Sequence, residues 1–173
     1  VRHAPLSGVP AATRPHVFLF VIDSLRRDYV SAYNPSNTFT PALERFADEN
    51  IVFDRAITRY GATGLSVPSI WVGGMVPHKQ YPAPFAPFNA LNHLLRHDQY
   101  TTWLSWDNVV DVIVPREGTG PRLSANRAVK DFRFCEMVGD IRGRLGELTP
   151  GGPPVFTWGL AQDVHVSAMA REG

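Results

Sequence analysis

Five polar residues follow stretches of sequence that predict strands, and their side chains could do chemistry. Asp23 comes directly after one apolar run, Thr63 follows a second, and Gln162, Asp163 and His165 follow the last. A carboxylate can hold a divalent cation that lowers the pKa of a neighbouring hydroxyl and neutralises charge on a transferred group. A hydroxyl at a helix start also has free backbone N–H groups beside it, which suit phosphate or sulfate. Asp23 and Thr63 therefore predict one half of a site for an anionic ester.

Each of these residues also has an ordinary structural explanation. A carboxylate that ends a strand is often a turn residue, as Asp23 would then be. A threonine that precedes a glycine at a helix start is often an N-cap, which applies to Thr63. A histidine near a strand end, such as His165, is often a hydrogen-bonded part of the scaffold. The chemical interpretation depends on the combination of residues.

The elements that would position these side chains alternate along the chain. Apolar runs with β-branched and aromatic residues predict four strands, at residues 16–22, 51–57, 101–106 and 155–160. The first of these runs is continuously apolar, which predicts burial on both faces of a parallel sheet. Helical spacing and capping residues predict helices at 41–50, 63–73, 88–95 and 134–148, and residues 109–114 predict a further short strand. The alternation predicts an α/β fold whose functional residues follow the carboxyl ends of the strands.

The composition of the chain excludes several classes of protein. The chain has 173 residues and a formal net charge of +1, which suits one domain and argues against nucleic-acid binding. Its one cysteine, Cys135, excludes an internal disulfide and is predicted to be buried packing. No apolar run approaches the length of a membrane span. We expect residues 1–15 to be an irregular lead-in or linker and residues 16–173 to form the domain.

Several motifs follow one another along the chain in a recognisable order. They are the segments Val17–Tyr29, Thr40–Leu43, Ile51–Phe53, Thr63–Ile70, Gln99–Trp103, Pro154–Phe156 and Gln162–His165. Their order resembles that of the amino-terminal half of the sulfatase and alkaline-phosphatase superfamily, with agreement in spacing over about residues 16–78 and two weaker similarities after it. Each motif is weak by itself, whereas the ordered set is fairly specific.

The resemblance implies a three-layer α/β/α fold with a mostly parallel sheet, present here in incomplete form. It implies a metal-dependent hydrolase of sulfate or phosphate esters, with a divalent ion that could be Ca²⁺, Mn²⁺, Zn²⁺ or Mg²⁺. Asp23 and Thr63 match its metal ligands, and Thr63 matches its nucleophile, with Ser66 as the alternative because Ser66–Ser69 is similar to the sulfatase Ser-x-Pro-Ser pattern. His165 and Gly64 match positions that contact the substrate.

Three departures from the family pattern bear on the reaction. Ser24 stands where sulfatases carry a second aspartate, Ile70 stands where they carry an arginine, and Ser105–Asp107 stands where a Gly-Lys-Trp-His element is expected. Those missing residues would bind or neutralise sulfate. The departures favour a threonine-dependent phosphoester hydrolase or a phosphoethanolamine/phosphoglycerol-type transferase. A non-catalytic α/β binding domain is the competing interpretation.

The family's Ser-Asp-His-Gly motif, which supplies further metal ligands, is absent from the sequence. We therefore expect the chain to be the front part of a longer enzyme, to lack a carboxyl-terminal half and to be inactive by itself. The expected substrate is a small-molecule, lipid or glycan ester, with no nucleic-acid partner and no membrane span in this segment. The compartment is not fixed by the sequence, although the resemblance implies a parent protein that is exported or membrane-anchored.

Overall fold

A computed structural model describes residues 14–76, 78–116, 123 and 134–164. Contacts divide the chain into two compact units, one formed by Val1–Asp23 with Tyr60–Gly173 and the other by Ser24–Arg59. The strands are β1 Val17–Ile22, β2 Thr101–Leu104 and β3 Val155–Ala161. The helices are α1 Pro41–Asp48, α2 Thr63–Val72, α3 Ala90–His97, α4 Val110–Ile113 and α5 Phe134–Gly146. Within the described residues, no helix is long and apolar enough to cross a membrane.

The three strands form one parallel sheet in the order β1–β3–β2. The central strand β3 is buried along its whole length, as predicted for residues 155–160, although Thr157 and Gly159 interrupt its apolar sequence. The same prediction is wrong for β1, where Phe20 retains 42% of its exposure. In the described sheet β1 pairs on one side only, so an edge position and not the apolar pattern decides its exposure.

Helices cover both faces of this sheet. Neighbouring residues of a strand point to opposite faces, and Val155 and Phe156 belong to different apolar clusters. On one face, Trp71 of α2 packs against Phe156 and against Trp158, with ring centroids 6.2 Å and 5.4 Å away. On the other face, α5 contributes Met137 and Ile141 to a cluster with Trp103 and Val155. The predicted α/β/α layering is confirmed.

The prediction of a short strand at residues 109–114 is wrong, because the chain there forms the single helical turn α4. Val110 and Ile113 are both fully buried in the cluster that contains Trp71. Apolar residues three apart fit one side of a helical turn, so packing overrides the β-branched composition. The prediction that Cys135 is buried is also wrong, since this residue is exposed on α5.

The unit Ser24–Arg59 contains α1, which begins at Pro41 as predicted. Thr40 makes no capping hydrogen bond, and its Oγ1 instead accepts from Ser31 N at 2.8 Å. The predicted strand at 51–57 is wrong: this segment is irregular, and Phe53 and Ile57 are 70% and 91% exposed. A strand requires a partner for its backbone groups, and this segment pairs with no strand in the described part of the chain.

Candidate active site

Asp23 is held at the carboxyl end of β1 by its backbone. Its N–H donates to Ala161 O at 2.8 Å, one step beyond the last paired residues of β1 and β3, Ile22 and Ala161. The backbone hydrogen bonds between β1 and β3 therefore fix the position of the Asp23 backbone, from which the carboxylate side chain extends. The residue is partly buried, which places its side chain at the boundary between the sheet and solvent.

Thr63 is the first residue of α2, and its hydroxyl reaches Asp23. The Thr63 Oγ1 donates a hydrogen bond to Asp23 Oδ2 at 3.0 Å. Ala62, which precedes the helix, is extended and provides no side-chain cap. The packing of Trp71 two turns later anchors α2 on the central strand. The structure thus brings together the two residues that the sequence singled out 40 positions apart.

Ser66, the alternative nucleophile, lies one turn further along α2 and has a different partner. Its Oγ donates to Tyr60 O at 2.8 Å, so the hydroxyl is bonded to the backbone of the segment that enters the helix. A serine that bonds a nearby carbonyl in this way stabilises local structure. The two hydroxyls are therefore distinguished by their acceptors, a carboxylate for Thr63 and a carbonyl for Ser66.

Gly64 lies in the first turn of α2 and is crowded from one side. The Tyr81 hydroxyl donates to Gly64 O, which ties the segment after α2 back to the helix start. A Cβ placed on Gly64 would lie 3.3 Å from both Tyr81 Oη and Lys79 Cε. These contacts are closer than most van der Waals separations, so a larger residue at this position would require the ends of the Lys79 and Tyr81 side chains to shift. The sequence did not predict the contacts of Lys79 and Tyr81 with Gly64, although both residues follow α2 closely in the chain.

Asp107 follows β2 in the chain, and the pKa of its carboxyl group is shifted from the ordinary value. Its Oδ1 accepts from Val109 N at 2.8 Å and from Val110 N at 2.7 Å, and these bonds fix the entry to α4. Its Oδ2 is buried and has no hydrogen-bond partner in the described structure. Burial raises the pKa of Asp107, and the charges of Asp111 and Asp23 raise it further, against the two backbone bonds that lower it. In the sequence, Asp107 stands out only because Ser105–Asp107 departs from a family motif.

The residues after β3 are described in part. Gln162 follows the strand, and Asp163 Oδ1 accepts from Phe134 N at 3.3 Å at the start of α5. Asp163 Oδ2 is buried with no hydrogen-bond partner among the described residues. His165, the predicted substrate-binding histidine, lies outside the described residues. Its predicted role stays a prediction.

The Asp23–Thr63 pair fits part of a site for a hard divalent cation. A carboxylate and a hydroxyl both offer oxygen, the donor that Mg²⁺, Mn²⁺ and Ca²⁺ prefer. Such ions take more than two ligands, and the described ranges hold no group of three or more His, Cys, Asp or Glu residues placed to share a metal. Further donors would have to come from residues outside those ranges or from water.

A parallel sheet covered by helices, with a carboxylate and a hydroxyl meeting beyond the end of a strand, defines an α/β protein built like an ester hydrolase. A family model described as Sulfatase matches residues 15–120, more than half of the chain, and the chain therefore belongs to the sulfatase family. Members of this family act on ester substrates and generally use a divalent metal. Neither the curated proteins nor the solved structures include a match to this sequence.

Proposed function

We propose that this chain contains the nucleophile half of a metal-assisted enzyme for phosphate or sulfate esters, with Thr63 as the nucleophile. The observation that carries the proposal is the 3.0 Å hydrogen bond from Thr63 Oγ1 to Asp23 Oδ2. Asp23 and Thr63 would hold the divalent ion, which would lower the hydroxyl pKa and offset charge on the transferred group. Backbone N–H groups of the first turn of α2, including that of Gly64, would face the same anionic group.

The reaction would proceed through a covalent intermediate on Thr63. The Thr63 oxygen forms a bond to the phosphorus or sulfur atom, and the bond from that atom to the alkoxide leaving group breaks. The hydroxyl proton leaves by way of Asp23 Oδ2 to solvent, and solvent protonates the alkoxide. Water then attacks the same phosphorus or sulfur, releases inorganic phosphate or sulfate and restores the Thr63 hydroxyl. His165 is the proposed ligand for the oxygens of the transferred group.

A phosphoryl-type reaction is favoured over true sulfatase chemistry. Threonine cannot become the formylglycine that the family's sulfatases make from Cys or Ser, and Ser66 is bonded to Tyr60 O. At the position where the family carries an arginine, Ile70 presents an apolar side chain that is 43% exposed. A phosphoethanolamine/phosphoglycerol-type transferase would share the first step and replace water with an acceptor alcohol in the second. Analysis of the products, free phosphate against a new phosphodiester, separates the hydrolase from the transferase.

Metal binding and ester turnover test the proposal. Both are measured in the 173-residue chain and in a longer protein that also includes the sequence after Gly173. We propose that the longer protein supplies the remaining metal donors, so it should bind a divalent ion and turn over aryl phosphate or aryl sulfate esters, while the shorter chain should do so weakly or not at all. The enzyme proposal fails if neither protein binds a divalent ion and Thr63→Ala leaves turnover unchanged. That outcome would favour a non-catalytic α/β binding domain.

A further inference from the structure

Lys79 lies against the first turn of α2, beside the proposed nucleophile. A Cβ placed on Gly64 would be 3.3 Å from Lys79 Cε and 3.5 Å from Lys79 Cδ, so the end of the lysine side chain crosses the residue that follows Thr63. The ammonium is bonded to that Cε, about 1.5 Å further on. A positive charge therefore lies within a few ångströms of the helix start that carries the Thr63 hydroxyl.

The segment that carries Lys79 is attached to this turn. Tyr81, two residues further along, donates its hydroxyl proton to Gly64 O and packs its ring against Phe85 with the ring centroids 5.7 Å apart. Phe85 belongs to the apolar cluster that also holds Trp71 of α2. The chain near Lys79 is thus tied to α2 and to the apolar cluster beside it, which holds the lysine side chain against Gly64, the residue that follows Thr63.

The charge of Lys79 is available to a ligand. The side chain is exposed, and none of the ion pairs found in the described part of the chain involves it. Arg14 and Arg116, by contrast, are paired with Asp98 and Asp111. A lysine ammonium on a flexible four-carbon stem is a mobile point charge that binds phosphate-type anions well.

A positive charge from Lys79 would add to that of the proposed divalent ion. Ile70 provides no cation on α2, so within the first turns of this helix no other side chain would attract the anionic group of the ester. We propose that Lys79 binds the anionic phosphate or sulfate group of the ester at Thr63 and so supplies the positive charge that Ile70 lacks. This assignment rests on the proposed function of the Asp23–Thr63 site.

Protection from acetylation tests the assignment without any turnover. The chain has two lysines, Lys79 and Lys130, so mass spectrometry can follow each one after treatment with acetic anhydride. Saturating inorganic phosphate, or sulfate in a parallel arm, should slow acetylation of Lys79 at least about tenfold and leave Lys130 unchanged. The assignment would be overturned if Lys79 were acetylated at the same rate with and without the anion, or if the anion protected both lysines equally.

Three variants test whether the charge of Lys79 is the cause. Lys79→Gln keeps most of the side-chain length and should weaken phosphate affinity, measured by calorimetry, at least about tenfold. Lys79→Arg should recover most of that loss. Arg142→Ala, which removes an exposed cation from α5, is the charge-matched control and should bind phosphate as the wild type does. If Lys79→Gln and Arg142→Ala have the same affinity as the wild type, Lys79 is not the anion ligand.

A fourth variant separates this assignment from the proposed function. Thr63→Ala should abolish ester turnover while phosphate still protects Lys79. If no ester is turned over and phosphate still protects Lys79, the proposed reaction fails and the anion site stands. If turnover depends on Thr63 but Lys79→Gln leaves both KM and phosphate affinity unchanged, the reaction stands and the role of Lys79 is wrong.

Discussion

Asp23 and Asp107 follow two strands of the same parallel sheet, but their carboxylates have different surroundings. Asp23 Oδ2 accepts from a side-chain hydroxyl, Thr63 Oγ1, at the start of a ten-residue helix. Asp107 Oδ1 accepts from the backbone at Val109 and Val110, and burial raises its pKa. The first region places a carboxylate beside the hydroxyl that we propose as the nucleophile, whereas the second uses a carboxylate to stabilise a turn.

The difference teaches that position at the carboxyl end of a strand is not sufficient to define a catalytic residue. What distinguishes Asp23 is its partner, a hydroxyl whose oxygen can form a covalent bond. What Asp107 stabilises is the entry to α4, whose Val110 and Ile113 are fully buried. Variants of each region should therefore separate loss of turnover from loss of stability.

The largest expected effect comes from removal of the Thr63 hydroxyl. Thr63→Ala should lower kcat of the longer protein by at least about a thousandfold, because no other group in the proposed mechanism forms the covalent bond. Thr63→Ser keeps a hydroxyl and should retain most of the activity. The measurement is steady-state turnover of an aryl phosphate ester with the folded state checked by circular dichroism.

Ser66→Ala is the matched control for that variant on the same helix. It removes a hydroxyl that donates to Tyr60 O, so it should cost about 1 kcal/mol of unfolding free energy and change kcat less than about threefold. A loss of turnover in Ser66→Ala, with activity kept in Thr63→Ala, would reverse the assignment of the nucleophile.

The next effect in size should come from the two aspartates. Asp23→Asn keeps the shape but loses the charge that would hold a divalent ion, so we expect about a hundredfold loss of kcat/KM and weaker metal binding by titration. Asp107→Asn should change kcat/KM less than about threefold, since its amide oxygen can still accept from Val109 N and Val110 N. Equal losses in the two variants would show that the two regions do not differ in the way proposed.

A smaller effect is expected on stability when the Asp107 side chain is removed. Asp107→Ala leaves the N–H groups of Val109 and Val110 without their acceptor, which should lower the unfolding free energy by about 1 kcal/mol. Chemical denaturation of Asp107→Ala and Asp107→Asn measures the difference. If Asp107→Ala is as stable as Asp107→Asn, the carboxylate does not stabilise the turn.

The smallest expected effect is a pH dependence of stability. The raised pKa of Asp107 means that the folded state binds a proton more tightly than the unfolded state does. The wild type should therefore gain stability relative to Asp107→Asn as pH falls from neutral toward 4, and lose that gain as pH rises again. Thermal unfolding of both proteins at several pH values measures the difference, and a difference that does not vary with pH would contradict the raised pKa.

The sequence was sufficient where local patterns and packing agree. The strand β3 and the helix α2 lie where their apolar runs and the glycine after Val72 predict, and Gly73 adopts the left-handed conformation, φ 69°, that ends the helix. The rule that functional residues lie beyond the carboxyl ends of parallel strands predicts the place of Asp23, which follows β1, whereas Thr63 follows an irregular segment and was singled out by its place at the start of a helix. These features depend on residues close together in the chain or on a general property of the fold.

Other features depend on partners that no local pattern reveals. The apolar segment 51–57 resembles a strand but pairs with none in the described chain, and the partial exposure of β1 accompanies its edge position in the described sheet. The contacts of Lys79 and Tyr81 with Gly64 depend on how the chain returns after α2. The buried Oδ2 of Asp107 likewise follows from tertiary packing, which the residue type alone cannot indicate.

The most direct test of the central claim is to trap the covalent intermediate. The longer protein is mixed with an aryl phosphate ester, quenched in acid and digested with trypsin, and the peptide from Tyr60 to Lys79 is analysed by fragmentation mass spectrometry. This peptide contains both Thr63 and Ser66, so one spectrum compares the two hydroxyls. We predict a phosphoryl group on Thr63. A phosphoryl group on Ser66, or steady turnover with neither residue modified, would contradict the account.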